Sequence, residues 1–207
     1  MSELRPVFGQ IMEDYLAQLA ACWEQIDTEA LGVVRQGQGI LVPLFNQTCV
    51  VKRDGIETGQ QGLLAHTVGV LLSRYLLGPY AEMAAGGAWV SFREFKDSAP
   101  FRQGFVNTVE RRIAASRSGD LAGLAAACLA LGGQEAGPEF SYDLRLRLPG
   151  LPRVPLLLLF NDQDKGFPAQ CSVLFQADAA RYLDMECIAM LGIVLASIVD
   201  PKGGWQA

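Results

Sequence analysis

The chain has 207 residues, half of them hydrophobic, and a formal net charge of -5, which suits one domain (residues 1–207) able to bury a core of its own. An acidic surface repels phosphate backbones and sets nucleic acid aside as a partner. The uncharged, mostly apolar segments Leu121–Gln134 and Cys187–Val199 fall short of the ~18–20 apolar residues that span a bilayer.

The first residues read as an amphipathic helix and not as a charged-then-apolar leader. Phe8, Ile11, Met12, Tyr15, Leu16, Leu19 and Trp23 recur at three- and four-residue steps, which predicts a helix from about Pro6 to Gln25. Asp27 is placed to cap a second, short helix through Val34, ended by Gly37 or Gly39. Ile40–Phe45 and Thr48–Arg53 are β-rich runs around Asn46-Gln47, and so a hairpin. Pro43 has no amide hydrogen, which points to an edge strand. Residues 61–77 predict a helix whose opposite face carries Gly62, His66, Gly69 and Ser73, small enough for another backbone or a ligand to approach.

Ala88–Phe95 reads as a strand with Trp89, Ser91, Arg93 and Phe95 on one face. Ser98 is placed to cap a helix striped by Phe101, Phe105, Val109 and Ile113, and Asp120 to cap an alanine-rich helix through Leu131. Phe140–Leu148 alternates as a half-buried strand. Val154–Phe160 is continuously apolar, as for a strand covered on both faces. Cys171–Gln176 is a third strand, and Asp184 starts a helix through Val199. Hairpin connections imply an α+β fold with a mostly antiparallel sheet of five or six strands and helices mainly on one face. The glycine-rich stretch 131–138 is the best candidate for a boundary between lobes.

Chemistry is sparsely marked. GxGxxG after a strand, the P-loop, HExxH and GxSxG are all missing from the sequence, so no catalytic set and no cofactor can be named. Cys22, Cys49, Cys128, Cys171 and Cys187 form no CxxC, and are expected to be reduced, buried thiols of a cytoplasmic protein. His66, the sole histidine, excludes a multi-histidine metal site within one chain, and no metal ligand is assigned. Candidate ligand-binding residues are His66, the Trp89/Arg93 pair, which could stack a planar ligand or hold an anion, and Asp162 and Asp164. The last two lie in a polar loop that lacks the ligand spacing of an EF-hand. Arg111, Arg112 and Arg117 read chiefly as a solvated helix end, with an anion site as the alternative.

Several stretches together carry a resemblance: the leading helix followed by Asp27–Leu31, then Tyr75–Leu77, Gly87–Glu94, Pro155–Phe160, Phe167-Pro168, Leu174-Phe175 and Arg181–Gly192. The chain resembles domain-of-unknown-function family 3786, from anaerobic bacteria and archaea, over nearly its whole length. The resemblance carries no established activity. Some members are joined to a cysteine-rich iron–sulfur domain, which implies a setting in anaerobic redox or corrinoid metabolism, although no such stretch is in this sequence. The family tends to carry an aspartate after its Leu-Phe pair, where this chain has Gln176.

Three readings follow. The first is a non-catalytic module that binds a small molecule, a cofactor or a redox partner protein. The second is a small-molecule enzyme using His66, or Asp162 and Asp164, as acid or base, with Arg93 holding an anion. The third is a structural homo-oligomer without a ligand.

Overall fold

The computed structural model describes residues 4–78 and 87–203, with side chains from Gly9 onward; Phe8 of the first apolar stripe therefore lies outside the described side chains. Helix α1 (Leu4–Cys22) forms where its periodicity places it and runs into a 3-10 turn at Trp23–Gln25. Trp23 is buried there, with the guanidiniums of Arg35 and Arg53 at 5.4 and 5.7 Å from its ring. Asp27 caps α2 (Thr28–Leu31) by accepting the Ala30 N–H at 3.0 Å. That helix stops at Gly32, at φ +67°, earlier than the sequence suggested. Gly37, at φ +57°, then reverses the chain, so Val34–Gln36 becomes strand β1, paired with Gly39–Leu41.

Strands β2 (Gly39–Leu44), β3 (Gln47–Lys52) and β4 (Gly55–Glu57) complete a four-stranded antiparallel sheet in the order β1-β2-β3-β4. Pro43 lies in an interior strand, not at the predicted edge, and the geometry explains why it is tolerated. Leu44 faces Gln47 across a two-residue turn, where the closing pair is hydrogen-bonded, so the alternation turns the Pro43 nitrogen away from β3. On that side β1 has already ended, at the residue facing Leu41. Helix α3 (Gly62–Leu77) crosses α1 at Gly69, where a Cβ would stand 2.7 Å from the Met12 Cε. The small face of α3 thus serves helix–helix packing at this point, and the buried Ser73 hydroxyl donates to the Gly69 carbonyl at 2.8 Å.

The second half builds a five-stranded antiparallel sheet from β5 (Trp89–Ser91), β6 (Gln134–Glu135), β7 (Leu144–Leu151), β8 (Val154–Asn161) and β9 (Gln170–Gln176), in the order β5-β9-β8-β7-β6. The strands thus divide between two sheets instead of forming one of five or six, while the α+β class and antiparallel pairing hold. The 131–138 stretch contributes β6, paired with β7. Strand β5 is shorter than predicted because Ser91 and Glu94 form a capping box that curls Phe92–Glu94 into a 3-10 turn. Arg93 therefore does not share a strand face with Trp89. The guanidinium over the Trp89 ring, at 6.0 Å, belongs to Arg147.

A continuous helical run follows: α4 (Arg102–Phe105), a π-helical turn at Val106–Glu110, and α5 (Arg111–Arg117). Ser98 does not cap it. Its buried hydroxyl donates to the Phe95 carbonyl at 2.6 Å and accepts from Arg102 Nε at 2.9 Å. Helix α6 (Leu121–Ala130) and helix α7 (Met185–Val199) are capped as expected by Asp120 and Asp184, which accept the N–H groups of Gly123 and Cys187.

Leu156, Leu158 and Phe160 of β8 join Val109, Ile113, Leu124, Leu191 and Leu195 of the helices in one buried cluster, which also takes in Ile40, Val42 and Tyr75 from the first half. Helices α5, α6 and α7 thus cover this face of the larger sheet. Leu157 and Leu159 point to the opposite face and are buried as well, opposite Arg147 and Arg145 in β7. Burial on both faces, at roughly 1.5–3 kcal/mol per leucine, accounts for the unbroken apolar run. Among the described residues no helix is long and apolar enough to cross a membrane.

Candidate functional site

Strand β9 is flanked by β8 along its length, but on its other side β5 covers only Leu174–Gln176. The early end of β5 leaves the first half of β9 open on that side, and the helical run α4–α5 lies alongside it. Between helix and strand runs a groove made of two adjoining cavities. One, of about 310 Å³, is lined by Ser91, Arg93, Arg102 and Ser172. The other, of about 560 Å³, is lined by Ala114, Ala115, Pro168 and Ala169 together with Arg111, Ser118 and Gln170. Val106 and Glu110 line both. Cavities of this size suit small molecules.

Val106 and Glu110 are the first and last residues of the π turn. Single π turns inside α-helices recur at functional sites, and here the local cause is visible in the sequence. Phe101, Phe105, Val109 and Ile113 follow at four-residue steps. In an α-helix each such step overshoots a full turn by about 40°; the wider π turn absorbs the drift. Phe105, Val109 and Ile113 all stay buried, and Glu110 is left on the flank that meets β9.

There Glu110 Oε1 accepts the Val173 N–H at 3.2 Å, closing the strand edge just where β5 stops. Burial pushes the Glu110 carboxyl above its usual range, against the opposing pull of the Val173 N–H and of nearby Arg93. Among the described residues no other group donates to Glu110 and no ion pair joins it. Arg93 stands exposed at the mouth, and Arg102 is anchored through Nε on Ser98. The Cys171 thiol beside Glu110 is driven well up by burial and by the neighbouring carboxylate, which keeps it protonated and a poor nucleophile. All five cysteines are free; burial raises Cys49 to about 11 and Cys128 to about 12.

The residues singled out from sequence do not converge. Arg93 lines the smaller cavity of the groove. Asp162 secures the far end: it accepts the Gly119 and Gln163 N–H groups, each at 2.7 Å, while Ser118 donates to Gln163 at 2.9 Å. Asp164 accepts the Lys165 N–H at 2.6 Å within a turn closed by its own bridge to Phe167. Both aspartates thus shape the loop. His66 lies at a different cavity, of about 460 Å³, with Met12, Leu16 and Thr58, where burial lowers its pKa. Trp89 and its cross-strand partner Gln176 sit at the β5–β9 pairing and line neither cavity of the groove.

Two arginines read as a solvated helix end are instead tied to α7. Arg112 binds Asp200 and Ser197, and buried Arg117 donates to the Val199 carbonyl at 2.6 Å and to Asp120 at 2.6 Å. Arg111 donates to Asn107. Among the described residues no group of three or more His, Cys, Asp or Glu could hold a metal ion.

Comparison with curated proteins and with solved structures finds no match. A family model described as "Domain of unknown function (DUF3786)" matches residues 26–197, a span that includes both sheets, the π turn and the groove. The chain belongs to this family of unknown function.

Proposed function

We propose that the protein is a non-catalytic binding module, a single α+β domain that holds a small molecule in the groove between the α4–α5 run and the open half of β9. The observation that carries this reading is Glu110: a half-buried carboxylate, placed by a π turn at the junction of two cavities, with one oxygen engaged by Val173. Perturbed titratable groups in clefts cluster at functional sites. Acid–base catalysis through His66 or the Asp162–Asp164 loop needs groups that meet at one substrate, and these lie at separate places. A setting in anaerobic redox or corrinoid metabolism stays part of the proposal as a source of candidate ligands.

Native mass spectrometry of protein purified without oxygen, followed by melting with a panel of organic acids, phosphate esters and corrinoids, tests the reading. Ala115 is exposed and lines the larger cavity, so Ala115→Trp fills it. A groove ligand at 100 times its Kd stabilises the wild type by about 2.7 kcal/mol, and the shift disappears in Ala115→Trp. A shift that survives Ala115→Trp, or no bound species and no shift in the wild type, overturns the proposal.

A further inference from the structure

The smaller cavity of the groove presents two opposite charges that do not meet. Arg93 and Glu110 both line it, and they are near enough for the guanidinium to pull the carboxyl pKa down. Yet no ion pair joins them among the described residues. The carboxylate adjacent to Arg93 in sequence is turned away: Glu94 accepts the Ser91 N–H at 2.7 Å and the Ser91 hydroxyl at 2.6 Å. Arg102 adds a second cation to the same cavity, its Nε fixed by Ser98 and its remaining N–H groups uncommitted among the described residues. Glu110 is equally fixed, one oxygen on the β9 backbone. Two cations and an anion that line one small cavity without pairing are complementary to a ligand that carries both signs. From that polar end the groove continues into the larger cavity, whose valine, alanine and proline side chains offer apolar contact to a substituent, while Arg111, Ser118 and Gln170 add polar groups to the wall.

We propose that the ligand is an amphoteric small molecule of the α-amino acid type: its carboxylate lies on Arg93 and Arg102, its amine donates to Glu110, and its apolar side chain enters the larger cavity. Guanidinium–carboxylate pairing supplies bidentate geometry, and an amine left without Glu110 would be desolvated without an acceptor. This rests on the groove reading above and narrows it to one chemical class.

Isothermal titration calorimetry with L-alanine, L-leucine, L-phenylalanine and L-tryptophan, and with leucinamide and 4-methylpentanoate as single-charge analogues of leucine, tests the class. The larger apolar amino acids bind more tightly than alanine, and each leucine analogue binds at least tenfold more weakly than leucine. Arg93→Gln and Glu110→Gln each weaken leucine at least tenfold. Glu110→Gln keeps an acceptor for the Val173 N–H, and Arg93 is exposed, so both variants fold. In addition, Arg93→Gln leaves leucinamide affinity unchanged and Glu110→Gln leaves 4-methylpentanoate unchanged. If the analogues match leucine, or the two substitutions change nothing, the amphoteric class is wrong. If no amino acid binds while another compound gives a melting shift abolished by Ala115→Trp, the class falls and the groove reading stands. Amino acid binding that persists in Ala115→Trp places the site elsewhere and overturns both.

Discussion

Glu110 is a half-buried ionisable group at the edge of β9, and its consequences can be read in stability as well as in the proposed binding. Because burial raises its pKa in the fold, the folded chain keeps the proton over a pH range in which the unfolded chain, at the ordinary glutamate value of about 4.3, has lost it. Stability contributed by this group is therefore present at low pH and declines as pH rises through the unfolded and then the folded pKa. Glu110→Gln removes the decline. Calorimetric melts should show the variant gaining on the wild type as pH rises above about 4.3; a constant difference would refute the assignment. The Asp184 carboxylate behaves in the opposite sense. Burial raises it, but the Cys187 N–H and Arg74 outweigh that and leave it depressed, so its contribution is lost as pH falls. Asp184→Ala, which deletes the α7 cap, should cost about 1 kcal/mol at neutral pH in urea denaturation.

At the scale of elements, the end of α4 and the π turn fit α7 closely, through Phe105 and Val109. Phe105 stacks on Phe92 at 4.5 Å and tilts against Phe175 at 6.0 Å, and a Cβ at Gly192 of α7 would stand 2.6 Å from its ring. Phe105 has aromatic neighbours on two sides and cannot withdraw, so Gly192→Ala should destabilise by about 1–3 kcal/mol. Gly69→Ala makes a contact of similar length on paper, but the opposing atom is the flexible end of Met12, and its cost in urea denaturation should be clearly smaller. Deleting Thr108 from the π turn would restore α-helical spacing and rotate Glu110 by about 100° relative to the residues before the deletion. The Val173 amide would then lose its acceptor, and its hydrogen exchange should accelerate along with the loss of ligand binding.

For the whole molecule, a small set of polar contacts joins the first half of the chain to the β7–β8 hairpin. The Tyr75 hydroxyl donates to the Leu31 carbonyl at 2.7 Å and accepts the Arg153 N–H at 3.2 Å. Arg153 donates to the carbonyls of Ala30 and Glu29, and the Phe45 N–H reaches Gly150 at 2.8 Å. Tyr75 is fully buried, so Tyr75→Phe strips partners from two backbone groups and should cost about 1–3 kcal/mol. Because one cluster serves both sheets, fluorescence and circular dichroism should report coincident unfolding of the wild type.

The helices α1, α3, α6 and α7, the β2–β3 hairpin and the doubly covered strand β8 were legible in the sequence, because each is written in local terms: apolar period, a capping aspartate, a turn-forming residue. So was the family. The partition into two sheets was not, since β1, β4 and β6 are two or three residues long and exist only through their neighbours. Nor was the site. Arg93 was a candidate on a strand face that the Ser91–Glu94 box abolishes, and Asp162 and Asp164 accept backbone N–H groups that hold their loops. Glu110 went unnoticed although the four-residue spacing around it was in view, because a carboxylate on a helix flank is ordinarily solvated. Only the packing of that helix against an unfinished strand edge decides that this one is half-buried and faces a cavity, and that depends on residues distant in the chain.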